Sequence, residues 1–148
     1  MRNLIRLLLS LACVASGSAR ATSDQALAAA EALLRYDAVT DHTYLHDNGT
    51  HRCFISVAGT DLPAEALARL RDTGLTLLPG TAWKLEAGKR VGHDMHVTIG
   101  EPEPLSDGTF LINYSFYCGT LCHSTNVAIL RRDASGWHVV NTRLKTLS

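Results

Sequence analysis

The sequence predicts an α+β domain, two N-terminal helices packed on a curved antiparallel sheet, on three observations. An alanine-rich stretch after Ser23-Asp24 places its apolar residues at helical spacing. A second stretch carries helix-start signals at Asp61, Pro63 and Glu65. Almost everything from Leu75 onward alternates or is rich in aromatic and β-branched residues between turn signals.

The chain opens with Arg2 and Arg6 and no acid, continues with LIRLLLSLACVA over residues 4–15, and reaches Ala19-Arg20-Ala21 through small residues. A basic start, a short apolar run and an A-x-A site are the order of an export signal cleaved after Ala21. The run falls short of the roughly 20 residues a membrane span needs. Cys13 follows Ser10-Leu11-Ala12 and lacks the leucine three places earlier that a lipoprotein signal carries. A cleaved product without a lipid anchor, periplasmic or secreted, is therefore expected. A signal peptide over 1–21 leaves one domain over 22–148, long enough to bury a sizeable core. Loss of Arg2, Arg6 and Arg20 leaves 11 basic against 14 acidic side chains, a net charge of −3. With Arg131-Arg132 as the single doubled arginine, that balance excludes the concentrated basic face nucleic acid requires.

The first helix is expected from the Ser23-Asp24 cap to about Val39, with Leu27, Ala30, Leu34 and Ala38 on one face. Residues 41–51 are polar, with Asn48-Gly49 as a turn signal. Residues 52–58 alternate as a strand ended by Gly59-Thr60-Asp61, and the second helix turns Leu67 and Leu70 inward and stops at Gly74. A short strand over 75–78 ends at Pro79-Gly80. Residues 82–86 and 90–99 read as two strands around the turn Ala87-Gly88-Lys89. Pro102 and Pro104 bracket a loop leading to Asp107-Gly108, and the last strand, 137–144, follows a turn at 133–136.

Residues 109–118 and 122–131 read as strands joined by Gly119-Thr120-Leu121. That spacing makes Cys118 and Cys122 cross-strand neighbours, about 4.5–5.5 Å apart at Cα, within the reach of a disulfide. An oxidising compartment favours the bridge. A zinc site from Cys118, Cys122 and His123 is the rival, and it lacks a fourth ligand and the usual spacing. No metal site and no cofactor are expected. Cys53 is left over as a buried thiol, an intermolecular link, or the true partner of one of the other two.

If Cys118 faces Cys122, Phe116 faces Ser124, Tyr114 faces Asn126, Ile112 faces Ala128 and Phe110 faces Leu130. The opposite face pairs Tyr117 with His123, Ser115 with Thr125, Asn113 with Val127 and Leu111 with Ile129. The Phe110 face is expected to meet the helices. Tyr114 and Asn126 are then candidate binding groups in a pocket, or a core tyrosine whose hydroxyl Asn126 satisfies. Tyr117 and His123 are the second candidate binding pair. His42, His46 and His51 cluster in a polar segment and read as solvated loop. His93 and His96 have opposite strand parity, so they cannot face one ligand there. A Cys53 nucleophile with His51 as base is conceivable, but Phe-Ile-Ser-Val after Cys53 reads as packing. No nucleophile elbow, zinc-protease, phosphate-loop or dinucleotide signature occurs, and no pair of carboxylates stands out.

The element order over residues 24–144, with Gly136-Trp137-His138-Val139 opening the last strand, resembles NTF2-like cone domains, which close a sheet around a pocket. A cystatin-like arrangement is the neighbouring possibility. The segment Tyr117-Cys118-Gly119-Thr120-Leu121-Cys122 is similar to a hairpin motif of small exported bacterial proteins of unknown function. Those proteins often carry glycine after the second cysteine and a further cysteine after the second helix. Here His123 stands in the first place and no cysteine lies near Trp83, which would leave Cys53 unpaired. The resemblance implies architecture and export, and no chemistry. The function expected is an exported binding or accessory module for a small molecule or a protein partner, with no nucleic acid and no stable membrane span. An enzyme using a histidine acid/base in a cone-fold pocket, and a thiol-redox or metal-handling protein, are the two alternatives. Oligomeric state is left open.

Overall fold

The computed structural model describes residues 16–40, 52–84, 94–119 and 122–147. Helix α1 (Ser16–Thr40) is followed by strands β1 (Arg52–Val57) and β2 (Thr60–Asp61), helix α2 (Ala64–Arg69) and strand β3 (Thr76–Pro79). Then come β4 (Met95–Ile99), β5 (Glu103–Pro104), β6 (Thr109–Gly119), β7 (Cys122–Asp133) and β8 (Gly136–Leu147). The described residues form an α+β arrangement, with two helices and a mixed, open, mostly antiparallel sheet of eight strands in the order β2-β1-β4-β6-β7-β8, with β3 beside β1 and β5 beside β6.

Helix α1 buries Ala26, Ala29, Ala30, Leu33, Leu34 and Ala38, the three-and-four spacing of a single helical stripe. Alanines at the contact let the helix axis approach the sheet closely. The helix does not begin at Ser23-Asp24 as expected; it already runs through them from Ser16. The Ala- and Ser-rich residues there offer no breaker strong enough to stop it. Helix α2 adds Ala66, and Leu70 just beyond it, to the same core, and Gly74 in the left-handed region (φ 77°) ends the following 3-10 turn. Arg35 donates to both carboxylate oxygens of Asp72 (2.8 and 2.9 Å), and Arg69 pairs with Glu31. These surface pairs link α1 to α2 and to the 3-10 turn that follows it, and water screens both.

The sheet departs from the sequence reading in four places. First, β1 is parallel to both β3 and β4 (Cys53↔Leu77, Cys53↔Met95), so the sheet is mixed. A strand returning through a helix comes back parallel, and which strand then flanks β1 is settled by non-local pairing. Second, α2 follows β1 and β2, so the helices are not both N-terminal. Third, the strand expected over 82–86 is not formed in its described part. Residues Gly80–Ala82 make a 3-10 turn, held by Asp61 accepting the Thr81 N–H (2.8 Å) and O–H (2.5 Å). The turn expected at 87–89 lies outside the described residues. Fourth, Glu103–Pro104 pairs with β6 where a plain loop was expected, proline being tolerated on such an edge.

The hairpin register is as expected from Phe110↔Leu130 to Tyr117↔His123. A bulge then shifts it by one, so Gly119 and not Cys118 sits opposite Cys122. The Cys118–Cys122 disulfide still closes, with Cα atoms 5.1 Å apart. Cys53 is a buried free thiol. The Phe110 face does meet the helices: Ile112, Tyr114, Phe116, Ala128 and Leu130 join α1 and α2 in one cluster. Among the described residues no helix is long and apolar enough to cross a membrane.

Candidate ligand-binding face

The sheet has two faces with different chemistry. Toward the helices, β1 sends Cys53, Ile55 and Val57, and β4 sends Met95, Val97 and Ile99, all buried. The alternate residues point the other way. Their register assembles two rows across the strands. One is Phe54↔His96↔Tyr117↔His123. The next is Ser56↔Thr98↔Ser115↔Thr125↔Thr146.

Trp83, carried out of the 3-10 turn that Asp61 anchors, lies against the first row. Its ring stacks on His96 (centroids 5.9 Å, 14° between planes) and meets the edges of Phe54 (5.3 Å) and Tyr117 (6.5 Å). Tyr117 in turn meets His123 at 6.1 Å. Phe54 is buried beneath this layer, while Trp83, His96, Tyr117 and His123 remain half-buried. Gly80 makes the arrangement possible: a Cβ there would stand 1.8 Å from Ser56 Oγ.

The polar groups near Trp83 are partly spoken for. Ser56 Oγ lies 3.3 Å from His96 Nε2. Burial holds the His96 imidazole below its ordinary value, and the nearby Asp61 charge opposes this. The O–H and N–H of Thr81 hold the Asp61 carboxyl below its usual range. Asp61 thus accepts from the turn and makes no hydrogen bond to His96. The Ser56–His96 pair sets an imidazole beside a hydroxyl, and among the described residues no carboxylate hydrogen-bonds the ring to orient it, as a nucleophilic triad requires. In the second row Thr98 and Ser115 share a hydrogen bond (2.6 Å), as do Thr125 and Thr146.

Of the four binding candidates from the sequence, Tyr117 and His123 lie on this face. Tyr114 and Asn126 are on the opposite, helix-facing side, 7% and 9% exposed, with Asn126 Nδ2 donating to Ser124 Oγ (3.2 Å). The structure thus brings two of the four together and separates them from the other two. His42, His46, His51 and His93 lie outside the described residues. Trp83, His96 and Ser56 were not singled out as binding residues. Their juxtaposition depends on the parallel β1–β4 pairing, for which single-strand parity carries no signal.

Other clusters offer less. Burial, with the Asp94 charge, pushes the Cys53 thiol up to about 11, the reverse of the lowered value a nucleophilic thiolate needs. Asp133 accepts from the Ser135 N–H (2.8 Å) and O–H (2.6 Å), which with His138 hold it down at about 2. Ser135 and Asp133 both contact the same His138 nitrogen at an exposed turn, so the group closes the turn and is not a relay. An open groove of about 540 Å³ beside α1 is walled by Glu31, Arg35 and Arg69, which are already paired, and by Trp137. Among the described residues no group of three or more His, Cys, Asp or Glu side chains is placed to hold a metal ion.

No protein-family model, no curated protein and no solved structure matches this chain.

Proposed function

We propose that the chain is a binding module whose small-molecule ligand lies on the helix-free face of the sheet, against Trp83, His96 and Tyr117, with His123 at the rim. One observation carries this reading. A tryptophan, a tyrosine and two histidines are gathered half-exposed on the face opposite the two described helices. Core packing needs none of them there, whereas ring-bearing ligands stack on such groups. The natural setting is the periplasm or the exterior, after removal of residues 1–21, and the architecture we favour is an NTF2-like or cystatin-like cone. An amino terminus at Thr22 in the natural protein checks the export step.

The binding reading is tested by a nuclear magnetic resonance screen of ring-bearing fragments. Shifts should concentrate on the backbone amides of β1, β4 and β6 around Trp83 and should vanish in Trp83→Ala. Shifts confined to the groove beside α1 would overturn it. A second reading, histidine acid/base catalysis, is favoured by one contact, Ser56 Oγ to His96 Nε2 at 3.3 Å. Turnover of a nitrophenyl ester that is lost in both Ser56→Ala and His96→Gln supports it; turnover unchanged in either removes it.

A further inference from the structure

We infer that the ligand of this face is an uncharged linear oligosaccharide lying across the strands, a conclusion that rests on the binding reading above and names its chemical class. The argument starts from the two rows. Each step along a row is one inter-strand spacing, ~4.8 Å, close to the length of a single pyranose unit. The rows are two residues apart along each strand, ~6.7 Å, comparable to the width of a sugar ring with its equatorial hydroxyls. A short glycan chain set across the strands therefore meets about one side chain of each row per sugar.

The chemistry of the rows matches the two sides of such a chain. Trp83, lying against the first row, together with that row's His96, Tyr117 and His123 presents ring faces and edges to the apolar C–H side of a pyranose. The Ser56, Thr98, Ser115, Thr125 and Thr146 row presents five hydroxyls, every one half-buried or exposed. Each hydroxyl has one donor and two acceptor sites. A mutual bond within Thr98–Ser115 or Thr125–Thr146 uses one donor of each pair, so every pair keeps a donor and several lone pairs for sugar hydroxyls. Ser56 Oγ lies beneath Gly80 and against His96, so the open hydroxyls from Thr98 to Thr146 span three inter-strand steps, ~14 Å, room for three or four sugars.

Charge selects the uncharged class. Neither row contains Asp, Glu, Lys or Arg. At the margins Arg52 is neutralised by Asp94, while Lys84, Arg143 and Lys145, the last donating to Asn113 Oδ1 (2.6 Å), lie outside both rows. A phosphorylated or carboxylated ligand would find no counter-charge along the rows.

The test uses the purified protein with Trp137→Phe, so that fluorescence reports Trp83 alone. Cellohexaose, chitohexaose and maltohexaose are titrated in turn, with indole as a ring-bearing probe that is not a sugar. Amide shifts in heteronuclear spectra locate each binding event. The expected result is that at least one hexasaccharide quenches Trp83 and shifts amides along both rows. Titrated beside its own di- to pentasaccharides, the binding hexasaccharide's series should gain affinity up to three or four units, because longer chains overrun the hydroxyl row. The isosteric pair Thr98→Val with Thr125→Val, on accessible strand positions that keep the fold, should weaken binding roughly 3- to 10-fold. Trp83→Ala should abolish it. If indole binds at Trp83 and no hexasaccharide does, the saccharide inference is overturned while the binding face stands. If neither probe shifts these amides, both fall. Unchanged affinity in the double valine variant refutes the role of the hydroxyl row.

Discussion

Replacing Gly80 with alanine tests the geometry of the face at its tightest point. The new methyl carbon would stand 1.8 Å from Ser56 Oγ, 2.9 Å from the Ile55 carbonyl oxygen and 3.0 Å from its carbon. The hydroxyl can rotate away, at the loss of its 3.3 Å contact with His96. The Ile55 backbone cannot move so easily. Its side chain is fully buried, and its strand is paired with β3 on one side and β4 on the other. The 3-10 turn must therefore lift, carrying Trp83 off His96. Overpacking of this kind costs ~1–3 kcal/mol, and a backbone neighbour places Gly80→Ala in the upper half of that range. Adding Ser56→Ala removes the worst overlap and should restore part of the loss, on the order of 1 kcal/mol. Urea unfolding followed by far-ultraviolet circular dichroism measures the stability, and Trp83 fluorescence in the Trp137→Phe background reports the turn. Gly80→Ala within ~0.5 kcal/mol of the parent, the ordinary range for a surface change, would refute the close approach. Full restoration by Ser56→Ala would refute the Ile55 contact.

Two further outcomes are expected. Breaking the Cys118–Cys122 bridge, which closes a loop of sequence separation 4, should lower stability by about 2 kcal/mol on the chain-entropy account. Comparing Cys118→Ser/Cys122→Ser with the oxidised parent by urea unfolding checks this, and equal midpoints would show that the bridge does not constrain the chain. Burial keeps the folded His96 value below its ordinary 6.5, so the unfolded chain takes up this proton first. His96 stability is therefore complete above about 6.5 and is lost as pH falls toward the lower folded value. His96→Gln should flatten that acid limb, and an identical pH–stability curve in the variant would contradict the shift.

Much of the helix-facing side was readable from local pattern. Leu34 and Ala38 fall on the buried stripe because helical spacing is a property of neighbouring residues. The β6–β7 register follows from a short turn that leaves few alternatives, so the pairing of Tyr114 with Asn126 is legible in the sequence. The bulge beside Cys118 escaped because an extra residue at a hairpin tip changes no hydrophobic pattern in the flanking strands. Residues 82–84 form no strand for a related reason. Alternation suggested a strand, while the deciding interaction, Asp61 with Thr81, joins residues twenty positions apart.

What the sequence determined by itself was the class of the fold, the clasped hairpin, and which face of β6 and β7 turns inward. Each follows from periodicity or from a closure of a few residues, where chain connectivity leaves little freedom. Only the tertiary structure decided that β1 lies parallel between β3 and β4. That pairing joins strands separated by loops whose closure entropy is nearly indifferent to the partner, and burial of the whole sheet makes the choice. The aromatic and hydroxyl rows exist only once it is made.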